Sequence, residues 1–104
     1  MNDACAAEAV GGAFTEAGDR WHFTGMLTFD HATAVLDQAS GLKLPASGVV
    51  DLAGLVHADS AALAVLLSLK RRAAAERHLL TFAAVPPMLE SLARVYGIED
   101  LLTQ

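Results

Sequence analysis

The hydrophobic pattern of this chain changes period several times, and each change marks an element. In "AFTEAGDRWHFTG" Trp21 and Phe23 alternate with His22 and Thr24, the period of two that a half-buried strand requires. Two short strands are predicted here, around a turn at Glu16 to Asp19. "TFDHATAVLDQASG" then shifts to helical spacing, with Phe29, Ala32, Val35, Leu36 and Ala39 on one stripe. Asp30 is the predicted N-cap and Gly41 the stop. Pro45 and Gly48 place a loop next. "GVVDLAGL" is a β-branched run that predicts an inner strand ending near Leu52.

"HADSAALAVLL" feeds a helix from about Ser60 to Arg77, with Ala62, Leu66, Leu69 and Ala73 in one continuous stripe. "HLLTFAAV" reads as another strand, stopped by Pro86 and Pro87. Pro87 suits the first turn of a further helix, which turns Met88, Leu89, Leu92 and Val95 inward and ends at Gly97. "IEDLLTQ" closes the chain. The order β-β-α-β-α-β-α predicts an α/β domain over residues 13–104. Its strand–helix–strand units require right-handed crossovers and a mainly parallel inner sheet. The first two strands add an antiparallel edge. A mixed sheet of four to five strands with about three helices, mainly on one face, follows, and the other face is left to find cover or a partner. Residues 1–12, Ala/Gly-rich, read as a flexible N-terminus.

Composition narrows the function. The 104 residues suffice for one core. The longest unbroken apolar run is Ala61 to Leu67, seven residues, against about 20 needed to cross a bilayer, so no membrane insertion is expected. The N-terminus lacks the basic and apolar regions of a signal peptide, and the single cysteine, Cys5, cannot form an internal disulfide. Both point to a reducing, cytoplasmic setting. A net charge of −5 argues against a nucleic-acid partner. The one basic cluster, Lys70, Arg71, Arg72 and Arg77, falls late in a predicted helix, where cations complement the macrodipole.

Candidate chemistry is sparse. His22, His31, His57 and His78 show no ligand spacing, so no metal is expected. No glycine-rich phosphate loop precedes a helix, so neither ATP nor another nucleotide cofactor is expected. Ser60, His57 and Asp51 or Asp59 lie near one another in sequence, but Ser60 is flanked by Asp59 and Ala61 rather than by the glycines of a nucleophile elbow. No catalytic residue is assigned. Asp59 or Ser60 is expected to cap the helix. A phosphate on Ser60 would also be tolerated there, because a helix N-terminus stabilises negative charge.

The stretch "VVDLAGLVHADSAALAVLL" resembles the signature of STAS domains, the sulfate-transporter and anti-sigma-factor-antagonist fold. Asp51 and Leu52 match the strand end, with Ala53 where Ser is usual. Asp59 and Ser60 match the acid and hydroxyl, and Leu63, Leu66 and Leu67 the helix core. Ala61 and Ala62 stand where a small residue and a glycine usually follow. "FTGMLTFDHATAVLDQA" and "LESLARVYGIEDLL" are similar to the two ends of the toluene-tolerance or Mla-type STAS subunits. The resemblance implies a cytoplasmic, non-catalytic subunit of an ABC-type phospholipid transport system that maintains outer-membrane lipid asymmetry. Such a subunit binds and supports the ATPase, in a complex with a membrane permease. The implied partner-binding residues are Asp59, Ser60, Ala61, Ala62 and Leu63. The alternative is an anti-sigma-factor antagonist regulated by phosphorylation of Ser60.

Overall fold

A computed structural model describes residues 12–103. The elements are β1 (Gly12–Ala17), β2 (Arg20–Leu27), α1 (Ala32–Ser40), β3 (Val49–Ala58), α2 (Ser60–Ala75), β4 (Thr81–Ala83), α3 (Pro87–Val95) and a short α4 (Asp100–Thr103). The sheet order is β1-β2-β3-β4. β1 runs antiparallel to β2, while β2, β3 and β4 are parallel. This is the expected α/β architecture with a mixed four-stranded sheet and one helix more than anticipated. Residues 1–11, for which flexibility is expected, lie outside the described residues, whereas Gly12 already belongs to β1.

The core lies between one face of the sheet and the helices. Phe14, Trp21, Phe23, Leu27, Val50, Leu52 and Leu55 meet Val35, Ala39, Ala62, Leu66, Leu69, Ala73 and Leu89 there. Phe14 contacts Phe23 edge-to-face at 4.9 Å and Trp21 at 5.5 Å. Thr15, Thr24 and Ala53 stand exposed, on strands whose core residues face the helices.

β3 is the main departure from expectation. It runs ten residues to Ala58 instead of stopping near Leu52. Its buried residues are Val50, Leu52, Leu55 and Ala58, a spacing of two, then three, then three, which is not the period of a plain strand. The register explains it. His22 pairs with Asp51 and Thr24 with Gly54, so Leu52 and Ala53 both stand against Phe23; a second irregularity lies between the Gly25–Leu55 and Met26–His57 pairs. Each extra residue resets which side faces the core. Asp51 holds the first bulge by accepting Ala53 N–H on Oδ1 at 2.8 Å. Gly54 is required beside it, since a Cβ would stand 2.6 Å from the Phe23 carbonyl oxygen.

β4 is shorter than the predicted strand because both ends of that stretch are used otherwise. At its start, His78 N–H bonds Ala73 O at 2.8 Å and Arg77 N–H bonds Ala74 O at 3.0 Å, a Schellman ending for α2 with Arg77 at φ 56°. At its end, Ala84 takes φ 55° and leads into Pro86. In α3 Val95 is exposed, and Ala93 takes the inward place expected of it. In α1 the helix begins one residue later than predicted: His31, not Asp30, is the N-cap, and it makes no side-chain capping bond.

Two polar side chains tie α1 in place. Gln38 pairs with the edge strand β1, accepting Phe14 N–H at 3.1 Å and donating to Phe14 O at 2.8 Å. Arg72, in the last turn of α2, reaches across to α1 and donates to Ala39 O at 3.1 Å and Leu42 O at 2.6 Å. Its Nε also donates to Glu76 Oε2 at 3.1 Å, so its charge serves the carboxyl end of α1 as well as that of its own helix. Lys70 lies over the Phe82 ring at 5.6 Å, and burial holds its ammonium below the usual lysine value.

The helix endings yield a test. Arg77 occupies the left-handed position that Gly97, at φ 71°, fills after α3. Replacing Arg77 with glycine relieves its backbone strain and should raise stability by about 0.5–1 kcal/mol. Arg72→Met should instead lose about 2 kcal/mol by leaving the Ala39 and Leu42 carbonyls without their charged donor. Urea denaturation of the two variants reads both signs.

Candidate functional site

The carboxyl ends of β2 and β3 lie side by side, with Leu27 paired to Ala58. From there one chain turns into the loop before α1 and the other enters α2. Asp59 joins them. Its extended backbone (φ −126°, ψ −165°) makes it the N-cap of α2. Oδ1 accepts Ala61 N–H at 2.9 Å and Oδ2 accepts Phe29 N–H at 3.0 Å. Its carbonyl oxygen accepts Ala62 N–H at 3.0 Å, and its own N–H bonds Leu27 O at 3.4 Å. One residue therefore caps α2, fixes the α1 approach loop and closes the end of β2.

Of the two capping residues the sequence offered, Asp59 takes the role and Ser60 does not. Ser60 is the first residue inside α2, and exposed. Ala61 is half-buried, whereas Ala62 at 0% and Leu63 at 3% exposure belong to the core. The five residues implied as a partner surface thus separate by depth: Ser60 is outward, Asp59 and Ala61 are intermediate, and Ala62 and Leu63 are core, with only Leu63 reaching the wall of a groove.

Two grooves flank the exposed face of α2. The first, of ≈ 400 Å³, lies between α1 and α2 and is walled by Phe29, Thr33, Leu36, Ser60, Ala61 and Ala64. The second, of ≈ 270 Å³, lies between α2 and the end of α3, with Leu63 and Leu67 on one side and Tyr96 and Ile98 on the other. Ser60 and Ala64 line both, forming a low ridge of small side chains. Large apolar groups border it: Phe29 is 80% exposed, Tyr96 58% and Leu67 37%. The helical spacing, with Asp30 as N-cap, predicts Phe29 on the inward stripe. With the helix starting at Ala32, Phe29 sits in the approach loop, outside the stripe. Tyr96 went unnoticed as a surface group because it was read as part of a helix ending.

Chemistry of other kinds finds no assembled site in the described residues. Asp51 lies at the opposite end of β3 from Ser60, roughly 20 Å along the strand, and its Oδ2 faces Arg20 Nη1 and His22 Nδ1, each at 3.8 Å. His57 is exposed on β3. His78 Nε2 lies 2.7 Å from the Pro45 carbonyl oxygen. Among the described residues no group of three or more His, Cys, Asp or Glu is placed to hold a metal ion, and no helix is long and apolar enough to cross a membrane.

An acid closing the end of an inner strand, a hydroxyl beginning the next helix and a mixed sheet backed by helices are the features on which the sequence resemblance rests. A family profile described as "Mlab, STAS domain" matches residues 11–103. The chain belongs to this family. Comparison with curated proteins found no match. Within this STAS domain the acid–hydroxyl pair has divided roles, Asp59 building the structure and Ser60 facing outward. Asp59→Ala should therefore cost about 2 kcal/mol, since it removes a cap and orphans Phe29 N–H. Ser60→Ala should stay within about 0.5 kcal/mol of wild type. Thermal melts of the two variants check the assignment, and an equal loss at Ser60 would return the cap to the hydroxyl.

Proposed function

We propose that this STAS domain is a non-catalytic subunit of an ABC-type phospholipid transport system maintaining outer-membrane lipid asymmetry. It binds and supports the cytoplasmic ATPase subunit, in a complex with a membrane permease, and is held peripherally at the inner membrane through those partners. The observation that carries this reading is the family match together with the exposed face at the start of α2. Small side chains at Ser60 and Ala64 let a partner backbone come close. Phe29, Leu67 and Tyr96 beside them supply the large apolar contacts that dominate binding energy at interfaces. The Asp59 clamp keeps this surface in one shape, so little ordering cost accompanies docking.

A second reading, an anti-sigma-factor antagonist controlled by phosphorylation, is favoured by one observation. The Ser60 hydroxyl is exposed and is not spent on capping, so it is open to a kinase. The two readings part on the partner recovered: an ABC ATPase, or a kinase-like anti-sigma factor.

Co-purification from the protein's own cell tests the leading reading, and an ABC ATPase is the expected partner. Ser60→Lys puts a long cationic side chain on the ridge while its ammonium stays in solvent. It should leave the melting temperature near wild type and weaken ATPase binding tenfold or more, about 1.4 kcal/mol. Recovery of a sigma-regulatory kinase alone would favour the second reading. Calorimetry on the purified domain should detect no ATP binding, since the reading assigns nucleotide chemistry to the partner.

A further inference from the structure

The sheet has β1 at one edge and β4 at the other. An open edge is a row of N–H and C=O groups ready to take another strand. β4 is protected by its brevity. It runs three residues, and Ala84 at φ 55° turns the chain away ahead of Pro86. β1 is six residues long and has no such protection. Along an antiparallel strand, both backbone groups of one residue point to the neighbour and both groups of the next point away. Phe14 gives its N–H and its carbonyl to Gln38. Gly12, Phe14 and Glu16 therefore carry the outward set, while Ala13, Thr15 and Ala17 bond toward β2.

A carboxamide can accept and donate at once, as a peptide group does. Gln38 Oε1 takes Phe14 N–H at 3.1 Å, and Nε2 donates to Phe14 O at 2.8 Å. These are the two bonds that a residue on a neighbouring antiparallel strand would exchange with Phe14. Gln38 is itself exposed, so its amide stands on the solvent side of the edge and not within the core. We propose that the β1 edge is a pairing surface for a second copy of this chain, and that Gln38 shuts it by taking the place of that copy's Phe14. The register favours a second copy. A twofold pair centred on Phe14 sets Phe14 against Phe14, Thr15 against Ala13 and Glu16 against Gly12. No like charges oppose one another, and the one charged side chain meets the residue that has none. The inference concerns the free chain and rests on no assignment of a partner or of transport.

Gln38→Met keeps the length of the side chain and removes its donor and acceptor. Gln38→Ala is the second variant, and alanine favours the helix that carries it. Circular dichroism checks that each is folded. In sedimentation equilibrium the wild-type full chain should hold the mass of one chain at every concentration. The two variants should rise with concentration toward twice that mass. In a mixture of isotope-labelled and unlabelled Gln38→Met chain, an intermolecular NOE should join Ala13 Hα to Thr15 Hα, the closely spaced pair of this register. Adding Glu16→Pro should weaken the pairing about tenfold or more. Glu16 N–H points away from β2, so proline there removes a pairing donor and leaves the β1–β2 ladder intact. Folded variants that stay single, or a dimer that Glu16→Pro does not weaken, would overturn the proposal. A wild-type chain already paired through β1 would overturn it too, since Gln38 would then not close the edge.

Discussion

The carboxylate of Asp59, shared between the N–H groups of Phe29 and Ala61, is the contact on which the surface of this domain depends. Helix starts leave backbone donors without partners, and a loop leaving a strand does the same. Here one side chain answers both needs at once. The start of α2 and the approach to α1 consequently hold a fixed relation, with Phe29 on one side of the ridge and the α2 face on the other. The hydroxyl next in sequence is freed from structural work and meets solvent. Among the described residues Asp59 alone caps α2, so the Ser60 side chain is left at the surface of the ridge.

The bulges of β3 serve the same end from below. The strand has to run from the Asp51 cluster, where Arg20 and His22 face the carboxylate, up to Ala58 beside Leu27. Without its irregularities Leu55 would turn away from the core. Asp51 and Gly54 make the first bulge workable, one by taking the N–H of the residue left over, the other by leaving room for the neighbouring carbonyl. Thus the two aspartates at the ends of β3 both act on backbone N–H groups. Asp51 sets the phase of the strand and Asp59 sets the start of the helix that follows.

The sequence was legible where period and packing agreed. The α2 stripe of Ala62, Leu66, Leu69 and Ala73 is buried as its spacing demands, and the alternation of Trp21 and Phe23 gave β2 its inner face. It was illegible where tertiary contacts override local rules. Apolar spacing of two, three and three in β3 matches no regular element until the register against β2 is known. Asp30 has the chemistry of a cap, yet the helix begins at Ala32, and no rule of capping preference selects His31. The reach of Arg72 to the Ala39 and Leu42 carbonyls is likewise invisible, since these partners are some thirty positions away in sequence. At the candidate site the acid and hydroxyl were recognisable from the family pattern. Depth was less so: spacing and family pattern put Ala62 and Leu63 in the helix core while the resemblance also counted them in a partner surface, and packing decides for the core.

The central claim is that the α2 ridge and its bordering apolar groups form the face that meets an ABC ATPase. Hydroxyl-radical footprinting of the full chain, alone and saturated with that ATPase, reads it at side-chain level. The account predicts that Leu67 and Tyr96 lose reactivity on binding, while Met26 and Leu79, exposed elsewhere, keep theirs. Unchanged oxidation of Leu67 and Tyr96 in a saturated complex, with protection falling on Met26 or Leu79 instead, would contradict it.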